Sequence, residues 1–216
     1  MLQLKSITKK YTKGSAEFIA LNNVSLDIEK GDYVVITGPS GAGKSTLLYV
    51  AGGMIHPDSG EVNYNGKNIY NQSGKEKNEY RKKQIGFVFQ QFHLMPFLTV
   101  EENIRLACYD KSHCSQIGKY LEQCSLIALK DKYPSELSVG EKQRTAFVRA
   151  IISEPSLLLA DEPTGNLDPE NSAVLMSLIE GFHKKGGTVL LVSHNPDASK
   201  YAQKRIVLNQ GKIALN

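Results

Sequence analysis

Apolar and polar positions along the chain follow two different periods. Short runs of β-branched and aliphatic residues occupy residues 33–37, 85–89, 156–160 and 188–193, and much of the intervening sequence has the spacing of amphipathic helices. Strands that alternate with helices favour a mainly parallel sheet covered on both faces. Residues 1–30 differ, because their apolar positions recur with nearly strand-like spacing. We therefore expect an α/β protein with an antiparallel sheet at its N-terminus.

Turn signals divide the N-terminal elements. Lys13-Gly14-Ser15 and Asn22-Asn23 are predicted turns, and Asn65-Gly66 is typical of a hairpin between residues 61–64 and 67–69. The following segment, residues 72–83, is polar, and we expect it to be exposed.

Helical spacing dominates the middle of the chain from Thr99 to about residue 129, and Thr99 with Glu102 has the pattern of a capping box. The remaining predicted elements are helices over 140–155 and 171–184 and strands over 205–208 and 212–215.

The most specific chemistry lies in residues 38 to 45, which read Gly-Pro-Ser-Gly-Ala-Gly-Lys-Ser. This is the pattern of a phosphate-binding loop, and the predicted strand before it and helix after it are the setting that such a loop requires. Glycines let backbone N–H groups wrap phosphates, lysine supplies a charge for the β- and γ-phosphates, and the last serine is a ligand for Mg²⁺. The predicted nucleotide-phosphate site comprises Gly38, Pro39, Ser40, Gly41, Ala42, Gly43, Lys44, Ser45 and Thr46.

Two carboxylates follow the apolar run at residues 157–160. Ligands of open α/β sheets gather at the carboxyl ends of strands, so Asp161 and Glu162 are expected beside the phosphate loop. We predict that Asp161 holds Mg²⁺, directly or through water, and that Glu162 is the general base for the attacking water.

Composition narrows the class of protein. Of the 216 residues 41% are hydrophobic and 22% charged, as in ordinary globular domains, and no apolar run approaches the ~20 residues that span a bilayer. The N-terminus lacks the apolar core of a signal peptide, so we expect a cytosolic protein. Three cysteines without close metal or redox spacing fit a reducing compartment, and we expect no metal site at His113-Cys114.

The net charge of +4 is only mildly basic. Positive residues cluster between Lys75 and Lys83, which indicates either a solvated surface segment or a contact with anionic lipid or another protein. No aromatic-rich basic stripe is present, so a nucleic-acid partner is not expected.

Further motifs converge on one family. Leu137-Ser-Val-Gly-Glu141 followed by Lys-Gln-Arg144 resembles the signature motif of ATP-binding cassette (ABC) ATPases, and Pro163-Thr-Gly-Asn-Leu-Asp168 resembles their D-loop. Tyr11, Gln90 and His194 stand where the family has an adenine-stacking aromatic, the Q-loop glutamine and the switch histidine. The resemblance covers essentially the whole chain, and five motifs in the family's order are highly specific.

The resemblance implies a fold and a set of roles. The fold is a RecA-like P-loop core with an N-terminal antiparallel sheet (residues 1–90 and 149–216) and an inserted helical lobe (residues 91–148) that carries the signature. ATP and Mg²⁺ are the implied ligands. The implied roles are adenine stacking for Tyr11, metal and inter-lobe contact for Gln90, γ-phosphate sensing for His194, the D-loop role for Asp168, and ATP contact for Ser138, Gly140 and Glu141.

Each of these roles has a structural alternative. The alternative for Tyr11 is packing at a strand end, and the alternative for Gln90 is a place at the surface. The alternative for His194 is a structural hydrogen bond, and the alternative for Asp168 is the capping of a turn. The signature also departs from the family pattern, which has glycine where this chain has Val139. A branched side chain favours extended backbone and would weaken the site if the position needs a glycine conformation. Little changes if the side chain points away from the phosphate.

The resemblance also implies partners. Two copies pair head to tail with ATP between Lys44 of one and Ser138 of the other, and an integral membrane permease docks near the Q-loop and residues 92–98. That apolar segment is either partner-binding surface or core filler. The expected location is the inner face of the cell membrane.

The D-loop sequence and the short chain look most like a subgroup of lipoprotein-releasing, macrolide- and peptide-exporting and cell-division ATPases. The alternative is a soluble ABC ATPase acting on nucleic acid or ribosomes. Such proteins carry coiled-coil insertions or two cassettes in one chain, and neither feature is present in this sequence.

Overall fold

The computed structural model describes residues 1–14, 16–194 and 196–214, which form two sheets and the helices that pack on them. The strands are β1 (Leu2–Lys13), β2 (Ala16–Ile28), β3 (Tyr33–Thr37), β4 (Ser59–Tyr64), β5 (Lys67–Asn68), β6 (Ile85–Val88), β7 (Leu157–Asp161), β8 (Thr188–Val192), β9 (Lys204–Asn209) and β10 (Lys212–Ile213). The helices are α1 (Lys44–Ala51), α2 (Gly74–Gln84), α3 (Val100–Arg105), α4 (Lys111–Ser115), α5 (Ile117–Gln123), α6 (Val139–Ile151) and α7 (Pro169–Lys184).

The central sheet has the strand order β10-β9-β3-β8-β7-β6. All neighbours from β9 to β6 are parallel, and only β10 is antiparallel to β9, which confirms the α/β class predicted from the alternation of elements. The carboxyl ends of β3, β7, β8 and β6 therefore meet at one edge. The phosphate loop begins directly after β3, Asp161 is the last residue of β7, and His194 and Gln90 lie two residues after β8 and β6.

Both faces of this sheet are covered, because successive strand residues point to opposite sides. Val34 and Ile36 of β3 belong to the hydrophobic cluster that contains α1 and the N-terminal strands. Tyr33 and Val35 belong to the opposite cluster, formed with α6, α7 and the helices after residue 100. This two-sided packing holds the strand ends, and the loops that follow them, in fixed positions.

The N-terminal sheet has the order β2-β1-β4-β5 and is antiparallel, as predicted. The predicted turn at Asn22-Asn23 is wrong. Strand β2 continues through both residues, and Asn23 has φ 55° where the register with β1 shifts, so the polar pair marks a bulge. Gly14 of the predicted first turn has φ 63°, whereas Ser15 lies outside the described residues.

Helix α2 was not predicted, because its sequence is almost entirely polar. Ser73 caps its N-terminus and accepts a hydrogen bond from the Glu76 N–H, while the Glu76 carboxylate accepts from the Ser73 N–H. Only Tyr80 buries its side chain, and its hydroxyl donates to the Ala51 carbonyl at 3.0 Å. One aromatic residue and a capping box thus position a helix that lacks an apolar stripe.

The other predicted elements are present with small changes. The Asn65-Gly66 hairpin joins β4 and β5, and the helical middle is divided into α3, α4 and α5. The last predicted strand ends at Ile213, and Leu215 lies outside the described residues.

Residues 91–138 of the predicted helical lobe contain helices and loops, and α6 crosses its predicted boundary at residue 148, so the division into two lobes stays a prediction. Within the described ranges, no helix combines the length and apolarity that crossing a bilayer requires.

Candidate active site

The phosphate loop is shaped by two glycines that lie against neighbouring backbone. Gly43 caps α1 with φ 99°, and a Cβ there would lie 2.1 Å from the Ala20 carbonyl oxygen. Gly38 has φ 146°, and a Cβ there would lie 2.0 Å from the Leu208 carbonyl oxygen. Other residues would be excluded by both conformation and space. The loop is thereby clamped between the N-terminal sheet and β9.

Lys44 is held at the centre of the loop. Its side chain is 6% exposed, and Nζ donates to the carbonyl oxygens of Gly38 at 2.9 Å and Pro39 at 3.0 Å. These contacts fix a positive charge beside the backbone N–H groups at the start of α1, which is the combination that binds phosphate.

A pocket of about 440 Å³ opens over this loop. It contains most of the predicted nucleotide residues together with Glu162 and two residues that were not predicted, Phe18 and Ala20. The lining residues are Tyr11, Phe18, Ala20, Ser40, Gly41, Gly43, Lys44, Ser45, Thr46, Gln90 and Glu162. The other loop residues, Gly38, Pro39 and Ala42, are not part of this lining. Tyr11 and Phe18 are opposite each other on β1 and β2, so two partly exposed aromatic rings border one side of the pocket.

Asp161 is buried, with only 4% exposure, and contacts Ser45 of the pocket lining. Its Oδ1 accepts a hydrogen bond from Ser45 Oγ at 2.9 Å, and its Oδ2 accepts one from the Tyr49 hydroxyl at 2.8 Å. A buried carboxylate needs such partners. Burial is the largest cause that raises the pKa of Tyr49, and the hydrogen bond to Asp161 is the second. The phenol therefore stays protonated and donates at neutral pH.

The donor chemistry around Asp161 fits Mg²⁺. A carboxylate, the Ser45 hydroxyl and the Gln90 amide supply the hard oxygen atoms that this ion prefers, with room for phosphate oxygens and water in the pocket. Among the described residues, no three His, Cys, Asp or Glu side chains converge on a metal-binding position.

Glu162 has an unusual backbone, with φ 44° directly after β7. Its N–H donates to the Val192 carbonyl at 2.9 Å, which ties this left-handed residue to the end of β8. Glu162 lines this pocket and also a second one of about 640 Å³, and its Oε2 lies 2.9 Å from Nδ1 of His194, which lines the second. The predicted general base and the predicted switch histidine are therefore in direct contact.

Gln90 and the D-loop approach each other around Gly165. A Cβ on Gly165 would lie 3.2 Å from Gln90 Nε2, and Asn166 Nδ2 donates to the Gln90 carbonyl at 3.1 Å. The Q-loop and D-loop thus contact each other beside Glu162.

The signature segment forms the N-terminus of α6. Ser138 Oγ accepts from the Glu141 N–H at 3.3 Å, and the Glu141 carboxylate accepts from the Ser138 N–H at 2.7 Å. This backbone hydrogen bond is the main cause that lowers the pKa of Glu141. Val139 is the first residue of the helix and is 44% exposed, so its position has helical backbone and needs no glycine conformation.

Close packing against Asn171 requires glycine at position 140, and the motif did not reveal this. A Cβ there would lie 2.1 Å from Oδ1 of Asn171. Asn171 Nδ2 donates to Asp168 Oδ2 at 2.7 Å, and Arg144 Nη1 donates to Asn171 Oδ1 at 3.0 Å. Asp168 also caps α7 by accepting from the Asn171 N–H at 2.9 Å. Asn171 thus joins the signature helix to the D-loop.

The predicted site residues therefore fall into two groups. The loop residues, Asp161, Glu162, His194, Gln90 and Tyr11 gather in or beside the pocket. In the part of the chain that the structure describes, the lining of that pocket does not include Ser138, Gly140, Glu141 or Asp168. Their roles toward ATP stay predictions.

Three residues near these groups were not singled out from the sequence. Tyr49 and Phe18 resemble ordinary core or strand aromatics in sequence. Gln143 is fully buried, and its Nε2 donates to the carbonyls of Pro163 at 2.8 Å and Phe89 at 3.3 Å, which links α6 to the residue after Glu162 and the residue before Gln90. Its place two residues after the signature was the one available signal.

The apolar connector at residues 92–98 is rigidly supported but outwardly exposed. Asn103 accepts from the Met95 N–H at 2.7 Å and donates to the carbonyls of Met95, Leu98 and Thr99 at 2.9–3.1 Å. Phe97 is 71% and Met95 40% exposed. A groove of about 650 Å³ lies nearby, bounded by α2, the start of β6, and the residues after α3.

Comparison with known proteins places these motifs in one family. The family model described as ABC transporter matches residues 21–165. An uncharacterized ABC transporter ATP-binding protein, MJ1508 of Methanocaldococcus jannaschii, is 43% identical over 99% of this chain and 97% of its own length. The macrolide export ATP-binding/permease protein MacB of Chlorobaculum tepidum is 37% identical over 99% of this chain, which spans only 33% of that protein.

A solved structure agrees over the whole length. The ATP-binding cassette MJ0796, in a dimeric post-hydrolysis state bound to ADP and Pi, has a TM-score of 0.92 and 34% identity, and the match covers 100% of this chain and 97% of that one.

Proposed function

The chain belongs to the ABC transporter family of ATP-binding ATPases, and from this membership we propose that it hydrolyses ATP between two copies of itself to drive a separate membrane permease. The contact between Glu162 and His194 carries the proposal, because it pairs a histidine with a carboxylate that lines the pocket over the clamped phosphate loop.

Different residues of the chain bind the phosphates, hold the cation and accept the proton. Lys44 and the loop N–H groups bind the β- and γ-phosphates, and Tyr11 and Phe18 border the place for the base. Ser45, Asp161 and Gln90 would hold Mg²⁺, which supplies charge neutralisation at the phosphate oxygens when bound. Glu162 accepts a proton from the attacking water, and His194 holds its carboxylate in place.

A second copy would supply the missing side of the nucleotide. Ser138 and the N-terminus of α6 are exposed and carry the partial positive charge of a helix start, which suits the γ-phosphate of ATP bound to the partner. The dimeric state of the related MJ0796 cassette supports this arrangement. The head-to-tail geometry is our proposal for this chain.

The connector at residues 92–98 and the adjacent groove are the proposed docking site of the permease. Exposed Met95 and Phe97 stand on a backbone fixed by Asn103, close to Gln90 along the chain. The name of the relative MacB describes one protein with both ATP-binding and permease functions, and this chain spans 33% of that protein. We propose that the present chain works at the inner face of the membrane, in lipoprotein release, efflux or a related export or mechanical task.

Hydrolysis of ATP by wild type and Glu162→Gln tests the catalytic proposal. Turnover should fall by about 10²-fold or more, the range for losing a general base, while ATP affinity is retained. ATP should convert the variant to a dimer in size-exclusion chromatography. Glu170→Gln, a carboxylate change at the start of α7 outside the pocket, is the control and should behave as wild type. Near-normal turnover in Glu162→Gln would contradict the assignment.

Affinity purification of Glu162→Gln with ATP from the native cells tests the partner. We expect an integral membrane protein in stoichiometric amount, lost in Phe97→Asp and kept in Ile127→Asp, another exposed apolar site. Recovery of ribosomes or nucleic acid without a membrane protein would instead support the soluble alternative.

A further inference from the structure

Helix α1 holds both oxygens of the Asp161 carboxylate. Ser45 and Tyr49 are four residues apart on this helix, so they project from the same face. Ser45 Oγ donates to Oδ1 at 2.9 Å and the Tyr49 hydroxyl donates to Oδ2 at 2.8 Å. The carboxylate is therefore gripped at two points, and its rotation about the Cβ–Cγ bond is restrained.

The two donors are not equivalent. The Ser45 hydroxyl is also the predicted cation ligand, so its contact with Oδ1 belongs to the cation site itself. The Tyr49 hydroxyl is bonded to Oδ2 and lies outside the lining of the nucleotide pocket among the described residues. Its ring packs against Phe87 at 5.7 Å and Phe89 at 6.4 Å between centroids, which fixes it to β6 and the residue after it.

We propose that Tyr49 is a positioning residue that anchors Asp161 Oδ2, so that Oδ1 and the Ser45 hydroxyl face the cation together, and that it thereby sets the Mg²⁺ affinity of the nucleotide site. The proposal rests on the proposed function, because it assigns a role within the same ATP site. Without the phenol, Oδ2 loses its donor and the buried carboxylate turns away from the geometry that the cation needs.

Binding of ATP to Tyr49→Phe in the Glu162→Gln background, titrated with Mg²⁺ and followed by calorimetry, tests the proposal. Phenylalanine keeps the ring contacts and removes only the hydroxyl. We expect the Mg²⁺ concentration for half-maximal stimulation of binding to rise about tenfold, which corresponds to about 1.4 kcal/mol. Affinity for ATP without Mg²⁺ should change less than about twofold.

Tyr80→Phe is the matched control, since it also removes one phenol hydrogen bond, which Tyr80 of α2 donates to the Ala51 carbonyl of α1. It should lower the melting temperature without moving the Mg²⁺ dependence. In the protein that retains Glu162, saturating Mg²⁺ should restore the turnover of Tyr49→Phe. Excess cation would not restore turnover if the substitution had damaged the structure in general.

The outcomes separate the two claims. If the parent Glu162→Gln protein binds no Mg²⁺-ATP, both the proposed function and the role of Tyr49 are overturned. If the parent binds it and Tyr49→Phe has the parent's Mg²⁺ dependence, or if Tyr80→Phe shifts that dependence equally, only the role of Tyr49 is overturned.

Discussion

The predicted site residues in or beside the nucleotide pocket form the phosphate-loop group, and Ser138, Gly140, Glu141 and Asp168 form the signature group. The two groups differ in how the hydrogen-bonding needs of their polar side chains are met. In the phosphate-loop group Lys44 and Asp161 are buried. Lys44 lines the nucleotide pocket, as does Ser45, which donates a hydrogen bond to Asp161. In the signature group Ser138 and Glu141 satisfy each other at an exposed helix start. The first group is thus a binding site by itself, whereas the second is a surface. Nucleotide binding and hydrolysis should accordingly be separable by substitution.

The largest effect should come from Gly43→Ala, which breaks the phosphate-loop group. A Cβ would meet the Ala20 carbonyl at 2.1 Å on a residue with φ 99°. We expect the free energy of unfolding to fall by about 3 kcal/mol or more and ATP binding to be lost, as measured by urea denaturation and calorimetry.

Gly66→Ala is the control for the backbone conformation alone. It has φ 80° and no atom within 4 Å of the added Cβ, so it should cost about 1–2 kcal/mol and leave ATP binding intact. Equal losses of ATP binding in both variants would show that the clash with Ala20 is not the cause.

Gly140→Ala should break the signature group and spare the other. The added Cβ would lie 2.1 Å from Asn171 Oδ1, which Arg144 and the Asp168 pairing hold in place. We expect a loss of about 1–3 kcal/mol in stability together with reduced ATP hydrolysis, while binding of ATP to the monomer is retained.

Asn171→Ala removes the obstructing amide and should partly rescue Gly140→Ala in a double-variant cycle. Additive losses in that cycle would contradict the contact between the signature helix and Asn171.

Ser138→Ala should have a smaller effect on stability, about 1 kcal/mol, because one N-cap is lost. Ser73→Ala removes the same kind of capping box from α2 and should cost a similar amount. Only Ser138→Ala should also lower ATP hydrolysis, measured at saturating ATP. If Ser73→Ala lowered hydrolysis as much, the effect would be one of stability and not of the signature.

The smallest effect is the pH dependence of the Glu141 contribution. Hydrogen bonds to Ser138 lower the pKa of Glu141 in the folded state, so its ionised form adds stability above the unfolded value of about 4.3. This contribution should disappear as the pH falls below 4.3 through the folded pKa. The difference in unfolding free energy between wild type and Glu141→Gln, measured from pH 3 to 7, checks it, and a difference that grows toward pH 3 would contradict it.

The phosphate-loop group was predictable because its chemistry is local in sequence. Residues 38–45 and the pair Asp161-Glu162 each follow a run of apolar strand residues, and parallel strands bring such ends to one edge. The contact between Glu162 and His194, 32 residues apart, follows from the adjacency of β7 and β8. Strand order itself is set by packing of the whole core, which periodicity does not reveal.

Other features escaped because tertiary contacts decide them. Tyr49 has an aromatic side chain in an apolar stretch, and only the fold brings Asp161 to its hydroxyl. Helix α2 depends on Tyr80 reaching Ala51, and the bulge at Asn23 depends on the register with β1. Asn171 lies 31 residues from Gly140 and has no motif of its own.

One buried amide has a consequence for association. Asn103 makes its hydrogen bonds to the connector backbone on both sides of Phe97, so the order of that loop is achieved when the chain folds. A surface that is already ordered loses little conformational entropy on binding, and more of its apolar contact appears as affinity. The Asn103 side chain thereby shifts an entropic cost from the encounter with a partner to the folding of the subunit.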